Sequence, residues 1–348
     1  MFLNECSIPE RVLIDWALLT RRLRKDHPAR AVISDDFQSR VSGYRGEKSL
    51  DYYLKKLPDS QFDVIHQLRL KNGEYYFQMD EVLISPVGLF NLEVKNYSWD
   101  LHFDEKFDQF FRIPPNKVKR VRSQNPVIQA REQAIQLKHW LIQHQLPILP
   151  IEYLFVNANN KSIITADSKN QQILERVTNS ETLIDKISQF MKLHEEKNIE
   201  KSTLKNIEKL LLTSHIPQDF NIEKMYKITP HEIIPGVHCP QCFSIPMYYK
   251  RGIWYCSHCN YHSKTAFVDT VYDYFLLMKP TITNSELREF LHISSGDIAL
   301  ELLRSMNLQC TGVKKGRVYY RPKQISFTRS NAFLSEVNFP ANIAPLTK

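Results

Sequence analysis

No stretch of this sequence approaches the roughly 18 to 20 apolar residues that a membrane-spanning helix needs, because proline and charge interrupt every apolar run. No membrane span is expected. A signal-peptide pattern is missing as well: Glu5 stands among the first residues and Asp15 cuts the nearest apolar run. Cysteine is scarce. Four of the six cysteines form two Cys-x-x-Cys pairs, while Cys6 and Cys310 stand alone, which argues against a disulfide framework and for a reducing, cytoplasmic setting. Internal repeats and low-complexity tracts are also missing.

What is present is an ordinary globular composition, 43% hydrophobic and 24% charged, and this excludes a disordered or fibrous chain. The 348 residues exceed one comfortable core and call for modules. With 46 Lys and Arg against 38 Asp and Glu, the formal charge of +8 favours a polyanionic partner without indicating a fold.

Residues 8–26 have apolar positions near helical spacing, with Arg21 to Lys25 at the end favoured by the helix dipole. Gly43 and Gly46 introduce a second predicted helix containing Glu47, Leu50, Tyr53 and Leu54. Three strands are predicted at Phe62–Leu70, Tyr75–Ser85 and Gly88–Lys95, separated by Asn72-Gly73 and Pro86-Val87-Gly88. Further strands are expected at Trp99–Phe103 and Gln109–Ile113. Pro126 behind an Asn125 cap opens a helix to about Gln145, and Ile151–Ala158 reads as a buried strand. Alternation of this kind indicates an α/β core over residues 40–165. Residues 175–215 read as helical with a solvated Lys and Glu face.

The strongest catalytic signal is Asp80 together with Glu93, Val94 and Lys95. If the hairpin pairs about Pro86 and Val87, partner numbers sum to 173 and Asp80 faces Glu93. Lys95 shares that face by the two-residue period of a strand. Facing carboxylates destabilise a hairpin unless a positive charge lies between them, and a hard divalent cation meets that need. In this reading Asp80, Glu93 and the Val94 carbonyl hold Mg²⁺ or Mn²⁺, and Lys95 orients water or stabilises the pentacovalent phosphate. A lone Glu-x-Lys is an ordinary half-exposed strand. The matched Asp80, the upstream Glu-bearing helix and the basic run Lys117, Lys119, Arg120 and Arg122 set this one apart.

The same segments resemble the nuclease-related domain, NERD, a branch of the restriction-endonuclease-like PD-(D/E)xK superfamily. Gly43-Tyr44-Arg45-Gly46-Glu47 is similar to its opening helix motif, Gln78-Met79-Asp80-Glu81-Val82 to its metal-binding strand, and Gly88 to Asn96 to its Glu-x-Lys strand. Asn125-Pro126-Val127-Ile128-Gln129 is similar to its late Gln-bearing helix. The likeness covers about residues 40–160, with Glu81 where many relatives carry His. It implies a mixed sheet flanked by helices and a site of Glu47, Asp80, Glu93, Lys95 and Gln129. The candidacy of Glu47 and Gln129 rests on the resemblance alone.

Cys239, Cys242, Cys256 and Cys259, in two pairs separated by 13 residues, are spaced to close a structural Zn²⁺ site of four thiolates. Between them Met247–Tyr249 and Ile253–Tyr255 read as a hairpin, so the segment resembles a zinc ribbon; His238, His258 and His262 are taken as ordinary polar residues. Iron or thiol redox chemistry is the alternative. Further on, Ala266–Met278 is a predicted helix, Thr283 to Glu286 caps a short one, and Asp297–Met306 forms another. Val313 to Arg321, with Lys314, Lys315 and Arg317, resembles the wing of a winged helix-turn-helix. Asp297 and Glu301, opposed by Arg304, make the preceding helix a poor major-groove reader, so the wing is the expected nucleic-acid contact. A protein-docking or structural role, or self-association through the C-terminal modules, also fits.

The expected architecture is α/β: a restriction-endonuclease-like mixed sheet flanked by helices, plus a small zinc ribbon and a winged helix-turn-helix-like domain. The boundaries are 1–35 for an N-terminal helical segment, 36–165 for the nuclease-like domain and 166–235 for a helical connector. The ribbon then takes 236–264, the winged module 265–325 and a tail 326–348. The expected function is metal-dependent hydrolysis of nucleic-acid phosphodiesters, with DNA as the first candidate substrate. The alternatives are a non-catalytic nucleic-acid-binding or regulatory protein that keeps the fold, and a zinc-ribbon transcription factor.

Overall fold

The computed structural model describes residues 1–58, 61–104, 106–115, 119–167, 171–325 and 327. In chain order the elements are α1 (Glu10–Ala17), a π-helical turn over Leu18–Arg22, α2 (Arg30–Leu54), β1 (Asp63–Asn72), β2 (Tyr75–Ser85), β3 (Gly88–Lys95), β4 (Asp100–Asp104) and β5 (Gln109–Ile113). Next come β6 (Val121–Ser123), α3 (Pro126–Gln143), β7 (Ile151–Asn157), β8 (Ile164–Ala166), α4 (Gln171–Arg176), β9 (Val177–Asn179), α5 (Leu183–Leu193), α6 (Lys201–Thr213) and α7 (Ile222–Tyr226). The last are β10 (Tyr248–Lys250), β11 (Ile253–Tyr255), β12 (His262–Ser263), α8 (Ala266–Leu277), β13 (Thr281–Thr283), α9 (Asn284–Leu291), α10 (Gly296–Ser305), β14 (Cys310–Thr311) and β15 (Val318–Tyr320). These form two units, one of Met1–Ser7 with Val41–Gln218, the other of Ile8–Arg40 with the described residues from Asp219 onward. Among the described residues no helix is long and apolar enough to cross a membrane.

The first unit is a mixed sheet flanked by helices. Its five strands run in the order β1-β2-β3-β7-β9; β1, β2 and β3 pair antiparallel, whereas β3, β7 and β9 are parallel. On one face Leu137, Trp140 and Leu141 of α3 and Leu204, Ile207 and Leu211 of α6 bury the sheet. Leu50 and Leu54 of α2 and Leu183, Ile187 and Phe190 of α5 cover a second core cluster with Phe90, Leu92 and Val94. Apolar burial at about 25 cal/mol per Å² is what holds these layers together. The 175–215 region is helical with a solvated face, as expected: Lys192, Lys201, Lys205 and Lys209 are exposed while the apolar residues of α5 and α6 enter the core. A second sheet, β6-β5-β4-β8, packs Leu101, Phe103 and Phe110 against Phe155 of β7.

One local expectation is corrected. Gly43 and Gly46 do not precede a helix: α2 runs through both. A Cβ on Gly46 would lie 2.8 Å from Cβ of Asn96, so glycine is needed there for close approach to the end of β3. The period-2 alternation fails at the centre of β2, where Met79 and Val82, three residues apart, join the same core cluster. On β1, Gln67 adopts φ 50°, and the β1–β2 ladder passes from His66↔Glu81 to Leu68↔Met79 without it.

In the second unit, the helix expected over 8–26 is α1 followed by the π-turn. The wider turn brings successive residues to one carboxylate: Arg21 Nε and Arg22 Nε both donate to Asp273 Oδ2, at 2.8 and 2.7 Å. These arginines are buried ion-pair partners, not dipole-facing surface charges, and they outweigh burial to hold the Asp273 carboxyl down at about 2. His238 is likewise no ordinary surface residue, since it is buried 3.2 Å from Arg22 and 3.0 Å from Thr270 Oγ1. Farther on, Thr283 and Glu286 form a reciprocal capping box on α9. The sheet β13-β15-β14 follows. Its outer strand is Cys310–Thr311, because Lys314–Gly316 coil into a 3₁₀ turn at the tip.

Candidate active site and metal centre

The β2–β3 hairpin has the register expected from its turn, from Ser85↔Gly88 to Glu81↔Leu92, each pair summing to 173. Regular pairing stops one step before Asp80 and Glu93. There Asp80 Oδ2 accepts a 2.8 Å hydrogen bond from the Val94 N–H. Lys95 Nζ donates to Glu93 Oε1 and lies 4.0 Å from Asp80 Oδ2. The ammonium is thus the positive charge beside the two carboxylates. Glu47, on α2, accepts from Gln67 Nε2 at 2.8 Å, so the left-handed residue of β1 ties the helix carboxylate to the sheet.

Glu93 is fully buried, and its second oxygen accepts from Gln133 Nε2 at 2.7 Å. Gln133 also donates to the Gln78 carbonyl at 2.8 Å, while Asn91 Nδ2 donates to Gln133 Oε1 at 2.9 Å and so orients the amide. Gln129, one helical turn earlier on α3, is half-buried, and its backbone N–H donates to the Asn125 carbonyl at 3.1 Å. Gln133 lay four residues beyond the quoted motif, on the same helix face. That i, i+4 relation was the signal that could have found it.

Burial raises the carboxyl groups of this cluster, and mutual repulsion adds to it: Glu47 is pushed up to about 8 and Glu93 to about 7, each with Asp80 as a further cause. Asp80 is raised by burial as well. Burial works against the Lys95 ammonium, but Asp80 and Glu93 outweigh it and hold its pKa above the ordinary lysine range. All three are oxygen donors, the chemistry a hard divalent cation takes, and such an ion would favour their charged forms.

Arg112 stacks over Tyr97 and Trp99, 5.2 and 5.5 Å from their ring centroids, and donates to Ser123 Oγ. Lys119, Arg120 and Arg122 are exposed, Arg122 on the edge strand β6; Lys117 lies outside the described residues. In the second unit Lys314 and Lys315 are exposed on the 3₁₀ turn and Arg317 is half-buried.

The four cysteines converge, their sulfurs within 4.8 Å of one another. Cys239 and Cys259 Sγ are 3.5 Å apart, and Cys242 and Cys256 are 3.6 Å apart. These spacings far exceed a disulfide bond of about 2.05 Å and are close to the roughly 3.8 Å edge of a tetrahedron with Zn–S bonds of about 2.3 Å. Two matching knuckles build the site. Phe243 N–H donates to the Cys239 carbonyl and Asn260 N–H to that of Cys256, with φ 59° at both Phe243 and Asn260. Arg251 and Gly252, both at positive φ, turn the β10–β11 hairpin between them. Four thiolates suit a structural Zn²⁺ and leave no position for water.

Residues 42–158 match the family model NERD, the nuclease-related domain. The match contains Glu47, Asp80, Glu93 and Lys95 and indicates a nuclease-related function for the first unit. The chain is also similar to an uncharacterized protein of Bacillus anthracis, 29% identical over 138 residues, which is 38% of this chain and 61% of that protein. The chain therefore spans less than two thirds of that relative's length. No solved structure matches the chain.

Proposed function

We propose that the first unit is a divalent-metal-dependent nuclease that hydrolyses phosphodiester bonds, with DNA as its substrate. The observation that supports this reading best is the constellation of buried Glu93 with half-buried Asp80 and Lys95, anchored through Gln133. A binding-only domain has no use for clustered carboxylates that repel phosphate. Glu47, Asp80 and Glu93, with the Val94 carbonyl, would hold Mg²⁺ or Mn²⁺. When bound, such an ion supplies Lewis acidity to a phosphate. Lys95 would orient water and stabilise charge on the phosphate oxygens. Gln133 keeps Glu93 in a single orientation. The zinc ribbon and the winged module would position the enzyme on nucleic acid or on a partner.

The test is incubation of purified protein with labelled single- and double-stranded DNA and RNA in Mg²⁺, Mn²⁺ or chelator. Cleavage of DNA in either ion, stopped by chelator, is expected. Binding without cleavage in any condition would leave the non-catalytic nucleic-acid-binding reading.

Ion binding should be pH-dependent. Glu93 and Glu47 hold protons up to about 7 and about 8, and these must leave before the oxygens can act as ligands. Affinity for Mn²⁺ is expected to rise from pH 6 to about pH 8 and then level off, with proton release visible by calorimetry in buffers of different ionisation enthalpy. The sign for stability is opposite. Because the folded-state values are raised, their contribution is fully present below the unfolded carboxyl value and is lost as pH climbs through about 7 to 8. A flat affinity profile would contradict the ligand assignment.

Lys119, Arg120 and Arg122 would hold phosphates of the bound strand, and Lys314, Lys315 and Arg317 would do so on the wing. Replacing Lys119, Arg120 and Arg122 together with Gln should weaken duplex binding and reduce the slope of log affinity against log salt by roughly 0.9 per lost contact. An unchanged slope would return this run to a solvated loop.

A further inference from the structure

On the other side of the Asp80–Glu81 step, three side chains of different chemistry meet inside the first unit. Cys6, His66 and Glu81 are each buried, and one donor atom from each lies within 4.8 Å of the others. The segment carrying Cys6 is held by backbone and side-chain bonds. Leu3 N–H donates to the Val64 carbonyl at 2.8 Å, and the Asn4 amide brackets the His66 backbone through bonds of 2.8 and 2.9 Å. The Phe2 ring stacks on the His66 ring, 5.1 Å between centroids. Cys6 is thus brought to the cluster by an ordered strap.

The cluster is incomplete as a protein-only arrangement. His66 Nδ1 lies 2.6 Å from Glu81 Oε2, yet neither Nδ1 nor either Glu81 oxygen has a hydrogen bond of acceptable geometry. Glu81 is fully inaccessible, and a buried carboxyl group without a well-directed hydrogen bond is left uncompensated for leaving water. Proximity without direction is the arrangement left when donors aim at a shared point. The far side of the imidazole completes the picture. Asp51 Oδ1, also unpartnered, stands 3.8 Å from His66 Nε2, and its other oxygen is held by Lys48 at 2.7 Å. A carboxylate behind the non-ligating nitrogen is how metal-bound imidazoles are oriented.

We propose that Cys6, His66 and Glu81 form a second metal site, for a Zn²⁺-class transition ion, distinct from the four cysteines and from the nuclease carboxylates. Thiolate, imidazole and carboxylate together are a borderline donor set that excludes Mg²⁺ and Ca²⁺ and suits zinc. Bonds of about 2.0 to 2.3 Å set ligand separations of roughly 3.3 to 3.8 Å, so the His66–Glu81 contact opens slightly as the ion enters. His66 ligates through Nδ1 and presents Nε2–H to Asp51. The ion clasps the N-terminal strap to β1 and β2 and compensates the Glu81 charge.

The site does not depend on the nuclease reading, and its test reads metal rather than cleavage. Full-length protein is equilibrated with a small excess of Zn²⁺, desalted and analysed for zinc. Wild type should retain two equivalents, and Cys6→Ser, His66→Asn and Cys242→Ser one each. Cys6→Ser with Cys242→Ser should retain almost none. Hydrogen exchange at the Leu3 amide should quicken in Cys6→Ser and not in Cys242→Ser. Cysteine to serine is a near-isosteric change, and circular dichroism checks that the variant folds. Zinc content equal in wild type, Cys6→Ser and His66→Asn would overturn the proposal, as would a single wild-type equivalent lost only in Cys242→Ser.

Discussion

Replacing Asp80 with Asn, or Glu93 with Gln, is expected to lower cleavage by at least about a thousandfold, a loss of about 4 kcal/mol of transition-state stabilisation. The fold should survive both changes, because removing one of two neighbouring anions relieves repulsion in the metal-free protein. In the Glu93 variant the Gln133 contact is retained or re-formed. Lys95→Ala should also stop turnover, yet its effect on the ion should differ. Lys95 is now bonded to Glu93 and competes with a cation for it, so Ca²⁺-supported substrate binding should outlast Mg²⁺-supported cleavage in this variant. Single-turnover assays in Mg²⁺ alongside binding titrations in Ca²⁺ separate the two. Equal cleavage by wild type and both carboxylate variants would place the chemistry elsewhere.

Cys242→Ser should cost the ribbon its fold. Metal binding to such sites is worth about 10 to 16 kcal/mol in isolated zinc-finger peptides, far more than the three short strands β10, β11 and β12 can supply through their own pairing. With one thiolate gone, zinc content should fall by one equivalent and residues 239–263 should become sensitive to limited proteolysis. Trp254, buried against Tyr249 with ring centroids 4.9 Å apart, should become exposed and shift its fluorescence to the red. Elemental analysis and proteolytic mapping check both. Well-folded wild-type protein free of zinc and iron would refute a structural metal.

Much of this was readable in the chain because it is local. Turn residues Pro86 and Val87 set the hairpin register, and the strands Tyr75–Ser85, Gly88–Lys95 and Gln109–Ile113 coincide with those expected from composition and turn punctuation. Asn125 and Pro126 begin α3 where capping chemistry requires, with Asn125 Oδ1 accepting from Val127 N–H. The ribbon was legible for the same reason, since a tetracysteine site is written in its spacing. Other features were hidden. The short strands β8 and β9 carry three residues each and acquire strand geometry by pairing with β4 and β7, so no window of sequence contains their cause.

By itself the sequence determined the hairpin, the capped helix, the paired cysteines and the presence of Asp80, Glu93 and Lys95 on one stretch of chain, because each depends on neighbours within about 20 residues. Only the tertiary structure decided which polar groups are buried together. It selected Gln133 over Gln129 as the group that holds Glu93 and turned Arg21 and Arg22 inward onto Asp273. It also broke the alternation at Asp80 and Glu81, so that Glu81 meets His66 and Cys6. The physical reason is common to the first two: a polar side chain removed from water must find its partner wherever the packed fold provides one, and that partner lies 40 to 252 residues away.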